Sequence, residues 1–326
     1  MNAPPDLPTP TLYKDRRTGL IVLGILEILL GGLCVLLVPL LFFGQAMQAR
    51  VTGAAPQYRI ILPAAATYGT LAATFIWLGI GSILARRWAR ALVLVLSWSW
   101  LMVGLIMMIF SAVFLPRILA TPATPNQNLP PVAQQVVLVV TLAMLAVMFV
   151  ALPGGLVLFY RSSHVRMTCE TRDPVARWTD ACPLPVLGLC AWLGLGALSM
   201  LLMPLGSGGV LPCFGTLISG WPGTLLCLGL AAVWAYLAWA GYRLQPHAWW
   251  LTVGGVVLFA SSAFVTFSRV DLLEMYRLMG YPEPQIEQMR RFSFFSGPTF
   301  AAWSLGCTAP LLGYLLWVKR FFRPAG

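Results

Sequence analysis

One ionisable group stands apart from the rest by position. Glu27 lies inside the apolar run 19–43, eight residues past its start, and is the only Asp, Glu, Lys, Arg or His within any long apolar run of the chain. On a helix that places it about 12 Å along the axis. A charged side chain deep in lipid costs about 2.5–3.5 kcal/mol on insertion scales, so such a carboxyl needs a reason to be there. Three chemistries suit it: carrying a proton, binding a cation or amine, or forming an ion pair. Arg17, one helical stretch below it, and Arg90, at the start of the third run, are the cations placed to pair with it. Pairing with either, or simply carrying a proton, makes Glu27 a structural pin instead of a working group.

The second candidate is the segment 268–296. Asp271 and Glu274 open a first turn, and Leu272, Met275, Tyr276 and Met279 follow at helical spacing. Gly280, Pro282 and Pro284 break the pattern, and Ile286, Met289 and Phe292 resume it. Two short amphipathic helices lying on the membrane surface are expected. They serve either as a lid or docking site for another protein, through Asp271, Glu274, Tyr276, Ile286 and Met289, or as a cap on the bundle.

Other chemistry is scarce. His164, Cys169 and Cys182 form no zinc spacing and lack a fourth ligand. There is no P-loop, GxSxG, HExxH or dinucleotide fingerprint, and no second carboxylate within a run. No metal, cofactor or catalytic residue is expected, and the chain reads as a non-enzyme. Seven scattered cysteines suggest no disulfide framework. Ser97 and Ser99, between Trp98 and Trp100, suit hydrogen bonds between helices. Trp88, Trp249, Trp250 and Trp317 fall at run ends and read as an interfacial aromatic belt.

The elements that must position these residues follow from composition. Of 326 residues, 59% are hydrophobic and 10% charged, against about a quarter charged in soluble proteins. Eight runs, at 19–43, 60–85, 91–115, 136–160, 184–205, 221–242, 248–267 and 297–318, each reach the ~20 residues that cross a hydrocarbon core. Lipid offers no partner for backbone polar groups, so the runs should be helices. The first run is too long for a signal peptide and is expected to remain as an anchor.

The net charge of +11 orients the chain instead of recruiting nucleic acid. Fourteen of the 21 Lys and Arg residues fall on one side, with no contiguous basic patch to follow phosphates. The positive-inside rule puts that side, with both termini, in the cytoplasm of what reads as a bacterial inner membrane, against anionic headgroups.

The chain also repeats itself. Val22-Leu23-Gly24 leads to Leu36-Leu37-Val38-Pro39-Leu40, and Val186-Leu187-Gly188 leads to Leu201-Leu202-Met203-Pro204-Leu205. Gly81 and Trp88 echo Gly241 and Trp249, and Pro153, Gly155 and Arg161 echo Pro310, Gly313 and Lys319. The fold expected is an all-α integral membrane protein, eight transmembrane helices as a parallel duplication of a four-helix unit. A polar Pro-rich tail, 1–18, precedes the first repeat, 19–160. A cytoplasmic linker, 161–183, leads to the second repeat, 184–318, and a basic tail, 319–326, closes the chain. Position 27 corresponds to Ala191 in the second repeat. The Gly-rich stretch 206–220 is expected as a flexible outer loop, with a re-entrant dip as the other option.

An accessory, sensory or assembly subunit acting through a membrane-protein partner fits this scarcity of buried polarity. The alternative is a small-molecule or ion transporter using Glu27 between the two bundles.

Overall fold

The computed structural model describes residues 13–52, 58–120, 130–290 and 297–322. The tails 1–12 and 323–326 and residues 291–296, with Phe292, lie outside the described residues. Among the described residues eight helical segments are long and apolar enough to cross a membrane, and the protein is an all-α, multi-pass membrane protein. In chain order they are α1 (Arg17–Thr52), α2 (Tyr58–Ile83), α3 (Arg87–Ala120), α4 with α5 (Pro131–Ala146 and Leu152–Arg161), α7 (Leu184–Ser207), α8 (Gly220–Tyr242), α9 (Pro246–Arg269) and α12 (Gly297–Val318). Three short helices lie between them: α6 (Ser163–Arg172), α10 (Leu272–Leu278) and α11 (Glu283–Arg290). α1 and α3 outrun the apolar runs that announce them. At 36 and 34 residues they are about 54 and 51 Å long, more than the ~40–45 Å of a whole bilayer.

α1 packs on α2, and α3 on the α4–α5 span; α7 packs on α8, and α9 on α12. The two sets of four meet where α2 and α3 touch α7. α3 is a shared wall. Its Val93 and Leu94 enter a core with Leu20, Leu78, Leu156 and Tyr160, while its Ala91 and Val95 enter another with Val186, Leu237, Trp249 and Leu315. Between the sets the Trp192 Nε1 of α7 donates to the Ser99 hydroxyl of α3 at 2.8 Å, the bond between helices that these serines suggest.

Two backbone devices shape the first set. Gly24 of α1 and Gly79 of α2 let the helices touch: a Cβ added at either would stand 2.7 or 2.6 Å from the other's carbonyl oxygen. In the fourth span, α4 passes into α5 through a wide π-turn, Val147–Ala151. Pro153, four residues after Phe149, has no N–H to give that residue's carbonyl, the usual cause of a helix irregularity. Gly104 of α3 closes on the same carbonyl so tightly that a Cβ there would lie 2.2 Å from it.

One face of the bundle carries Arg86, Arg172, Lys319 and most other cations, and is called the basic face below. The linker on it is ordered. α6 buries Val165, Thr168 and Cys169 against the ends of α1, α3 and α5. Asp173 follows it, 2% exposed, accepting from Arg177 Nη2 at 2.8 Å and from the Arg87 backbone N–H at 3.4 Å, with Arg86 at 3.7 Å. The Arg177 guanidinium holds the Asp173 carboxyl below the usual carboxylate range. The chain before α1 lies along α6 through an Asp15–Arg172 ion pair at 3.1 Å and an Arg16 N–H to Thr168 bond at 3.1 Å.

Two expectations about single elements are corrected. The stretch 206–220 is no loose loop and no bare re-entrant segment. α7 ends at a left-handed Gly208 (φ 68°), and an antiparallel hairpin follows, β1 (Leu211–Cys213) with β2 (Thr216–Ile218). It sits on α9, where Ser262 and Thr266 accept the N–H groups of Phe214 and Gly215 at 3.1 and 3.0 Å. Trp249, read as a belt residue, is a core residue at 3% exposure; its Nε1 donates to the Leu315 carbonyl at 2.7 Å, whereas Trp250 is 62% exposed and fits the belt.

Candidate functional site

Leu20, Gly24, Glu27 and Gly31 recur every three or four residues on α1 and so share one face. That face is pressed on α2 at Gly24–Gly79 and again where Gly31 meets Ile76 and Ala72. Between those contacts the Glu27 side chain reaches the hydroxyls of α2 and α5. There the Ser82 hydroxyl of α2 donates to Glu27 Oε2 at 3.0 Å. The Tyr160 hydroxyl of α5 lies 3.1 Å from Glu27 Oε1 and 2.9 Å from Ser82 Oγ. All three residues are buried, at 2%, 1% and 0% exposure.

Beside the carboxyl is a cavity of about 10 Å³, bounded by Phe75, Leu78, Val93, Leu96, Ser97, Trp100 and Leu156. That is the lower limit for a single water. The wall is apolar except for the Ser97 hydroxyl, and no organic substrate fits.

Neither expected cation pairs with Glu27. The Arg90 Nε donates to the Tyr160 backbone carbonyl at 3.1 Å. α5 ends at Arg161, and Ser162 turns away with ψ 138°, so the carbonyls of its last turn lack intrahelical donors. A cation satisfies such a carbonyl and the helix dipole together, which is why Arg90 goes there. Arg17 stays at the surface, where its N–H bonds Asp15 at 3.0 Å. Among the described residues, the hydrogen-bond partners of the Glu27 carboxyl and the lining of the cavity beside it come from α2, α3 and α5. The carboxyl therefore sits inside the first set of helices, not between the two sets.

The outer segment is also sequestered. The Asp271 carboxylate caps α10 through the Leu273 N–H at 3.2 Å. Glu274 pairs with Arg277 at 3.1 Å, and Arg277 with Glu283 at 2.9 Å. Leu272 is buried with Ala263, Phe267 and Ala301; Tyr276 packs beside them half-buried, Ile286 is fully buried, and Met289 is half-buried. The apolar faces of α10 and α11 are turned down onto the protein. Of the two roles expected for this segment, that packing is the one a cap on the bundle has.

Among the described residues no three His, Cys, Asp or Glu side chains group as metal ligands, and the Nδ1 of His164 accepts from the Lys14 N–H at 3.4 Å. Sequence reasoning finds Glu27 but misses Ser82 and Tyr160. Their signal was slight: a serine and a tyrosine at the basic ends of the second and fourth spans, level with the carboxyl once α1 is seen to begin lower. No protein-family model matches the chain, and no curated protein or solved structure is significantly similar to it.

Proposed function

We propose that this chain is a non-enzymatic accessory, sensory or assembly subunit of a bacterial cytoplasmic membrane, working through a membrane-protein partner. The observation that carries the reading is the closure around Glu27. Two hydroxyls bond the carboxyl, the neighbouring space holds one water at most, and the site lies within one helix set. A transport path between the two sets would not meet it, so the transporter reading has less support.

The topology proposal puts the basic face and both termini in the cytoplasm. The duplication proposal gains support from the turns after α2 and α8. In the first, Arg86 N–H bonds Gly81 O at 2.9 Å and Ala85 N–H bonds Ser82 O at 2.9 Å; in the second, Gln245 N–H bonds Ala240 O at 3.1 Å and Leu244 N–H bonds Gly241 O at 2.9 Å. Both turns put a non-glycine residue at positive φ, Ala85 at 49° and Leu244 at 56°. Glycine is the usual residue there, so the shared exception favours common descent. This register aligns Ala89 with Ala248, two residues away from the Trp88–Trp249 match.

Proteoliposomes test the reading. With a pH gradient imposed, neither wild type nor Glu27→Gln should accumulate ions or small metabolites, and the protein should leave native membranes in mild detergent within a complex of fixed stoichiometry. Gradient-driven uptake that Glu27→Gln abolishes would replace this reading with transport. Reporter fusions after Asn128, which lies outside the described residues, and at the C-terminus should read outside and inside.

A further inference from the structure

We infer that Glu27 is a proton-binding site: the ring it forms with Ser82 and Tyr160 closes only when the carboxyl carries a proton. The argument is a count of hydrogens. The ring has three oxygen–oxygen contacts, Ser82–Glu27 at 3.0 Å, Glu27–Tyr160 at 3.1 Å and Tyr160–Ser82 at 2.9 Å. The 3.0 and 2.9 Å contacts lie in the O–H···O range and the 3.1 Å contact just outside it; for all three to be hydrogen bonds, each takes one hydrogen. Each hydroxyl owns one, and an ionised carboxylate owns none. With Glu27 ionised, two hydroxyl hydrogens fill only two of the three contacts; if both go to the carboxylate, the Tyr160–Ser82 contact is left with lone pairs facing at 2.9 Å. With Glu27 as the acid, the hydrogens run in one direction. Ser82 donates to Oε2, Oε1–H donates to Tyr160, and Tyr160 donates to Ser82. Every contact is then filled.

The surroundings agree. Among the described residues Glu27 has no ion-pair partner. The titratable and charged groups around the ring are few. α5 brings Tyr160 itself, and α2 brings only Ser82. α3 brings Arg90, already bonded to the Tyr160 carbonyl, and α6 brings the buried Cys169. Burial pushes the Cys169 thiol up to about 11, so it adds no charge at neutral pH. A neutral acid also avoids the desolvation that a lone carboxylate suffers in an apolar interior. The bound proton thus joins α1, α2 and α5, three helices that otherwise meet through apolar contacts and glycine.

Infrared spectroscopy of the full chain in lipid nanodiscs at pH 7 tests this. The other four glutamates, Glu170, Glu274, Glu283 and Glu287, are each paired with an arginine at the surface. One carbonyl stretch of a protonated carboxylic acid should therefore be present, should move on ¹³C labelling of glutamate, and should vanish in Glu27→Gln. It should shift in Ser82→Ala and in Tyr160→Phe, which each break the ring. A glutamate spectrum with carboxylate bands alone at pH 7 overturns the inference. The isotope shift needs no substitution, so a variant that fails to fold leaves the test intact. Uptake plays no part in the readout, so the inference and the accessory reading fail separately.

Discussion

Where α1, α2 and α5 converge at the basic face, buried polar atoms satisfy one another through side chains. Where α7, α9 and α12 converge on the same face, they turn to the backbone. Trp249 Nε1 donates to the Leu315 carbonyl, and the Tyr314 hydroxyl donates to the Pro185 carbonyl at 2.5 Å. Ala191, the residue that the proposed duplication sets against Glu27, lies at the margin of an apolar core with Val186, Leu315 and Val318. A carbonyl has two lone pairs and keeps them at every pH, so the second region holds together whatever the proton supply. The first depends on a group whose accepting and donating powers change with protonation. The same packing problem is solved once conditionally and once unconditionally.

The sharpest way to break this contrast is through the glycines. Gly79→Val puts side-chain atoms against the Gly24 carbonyl, which is backbone and cannot swing aside. It should destabilise by about 3 kcal/mol in denaturant unfolding in mixed micelles. Gly241→Ala meets only the Cys190 sulfur at 3.2 Å, which can rotate, and should cost under about 1 kcal/mol. Equal losses would mean the two helix pairs are equally tight.

Next comes the carboxyl. Glu27→Ala removes two buried hydrogen bonds and should cost about 2 kcal/mol by the same measurement. Glu27→Gln, whose amide both donates and accepts, should stay within about 0.5 kcal/mol of wild type. Ala191→Gly, at the corresponding point of the second region, should cost about 1 kcal/mol from helix propensity alone.

A smaller effect belongs to the linker. Asp173→Ala breaks the contacts that hold the end of α6 and should cost about 1 kcal/mol, because Arg177 and Arg86 are partly solvated. The pH dependence has a definite sign. The native Asp173 carboxyl is lowered, so its contribution is present above the unfolded value of about 3.9 and is lost as pH falls through the native value. Protection of the amides across 163–172, taken relative to the intrinsic exchange rate at each pH, should therefore fall in acid and be unchanged from pH 6 to 8. Ser99→Ala, which removes one bond between the two helix sets, should cost only about 0.6 kcal/mol in unfolding.

How much of this was legible in the sequence depends on what forces each feature. Lipid forces the spans, so their number and places read directly, and the lone carboxyl stands out against them. The partners of Glu27 do not read out. Arg90 has the right charge and depth, but an unsatisfied carbonyl at the end of α5 claims it, and that carbonyl exists only once the helix is seen to stop. Trp249 sits where a belt tryptophan would, yet α9 turns its ring inward to Leu315. Tyr276 and Ile286 show the right spacing for a surface helix, while spacing alone does not say whether its apolar side faces lipid, a partner or the protein's own α9 and α12.

The π-turn at Val147–Ala151 bears on the carboxyl from a distance. Such a turn inserts one residue into the helical count and rotates everything after it by about 100°. In an unbroken helix of the same sequence, Phe159 would hold the azimuth that Tyr160 holds, and Glu27 would face a benzene ring with nothing to offer a carboxyl. Pro153 and Gly104 therefore act as a crank, setting from about 10 Å up the shaft which of two adjacent aromatic residues reaches the acid.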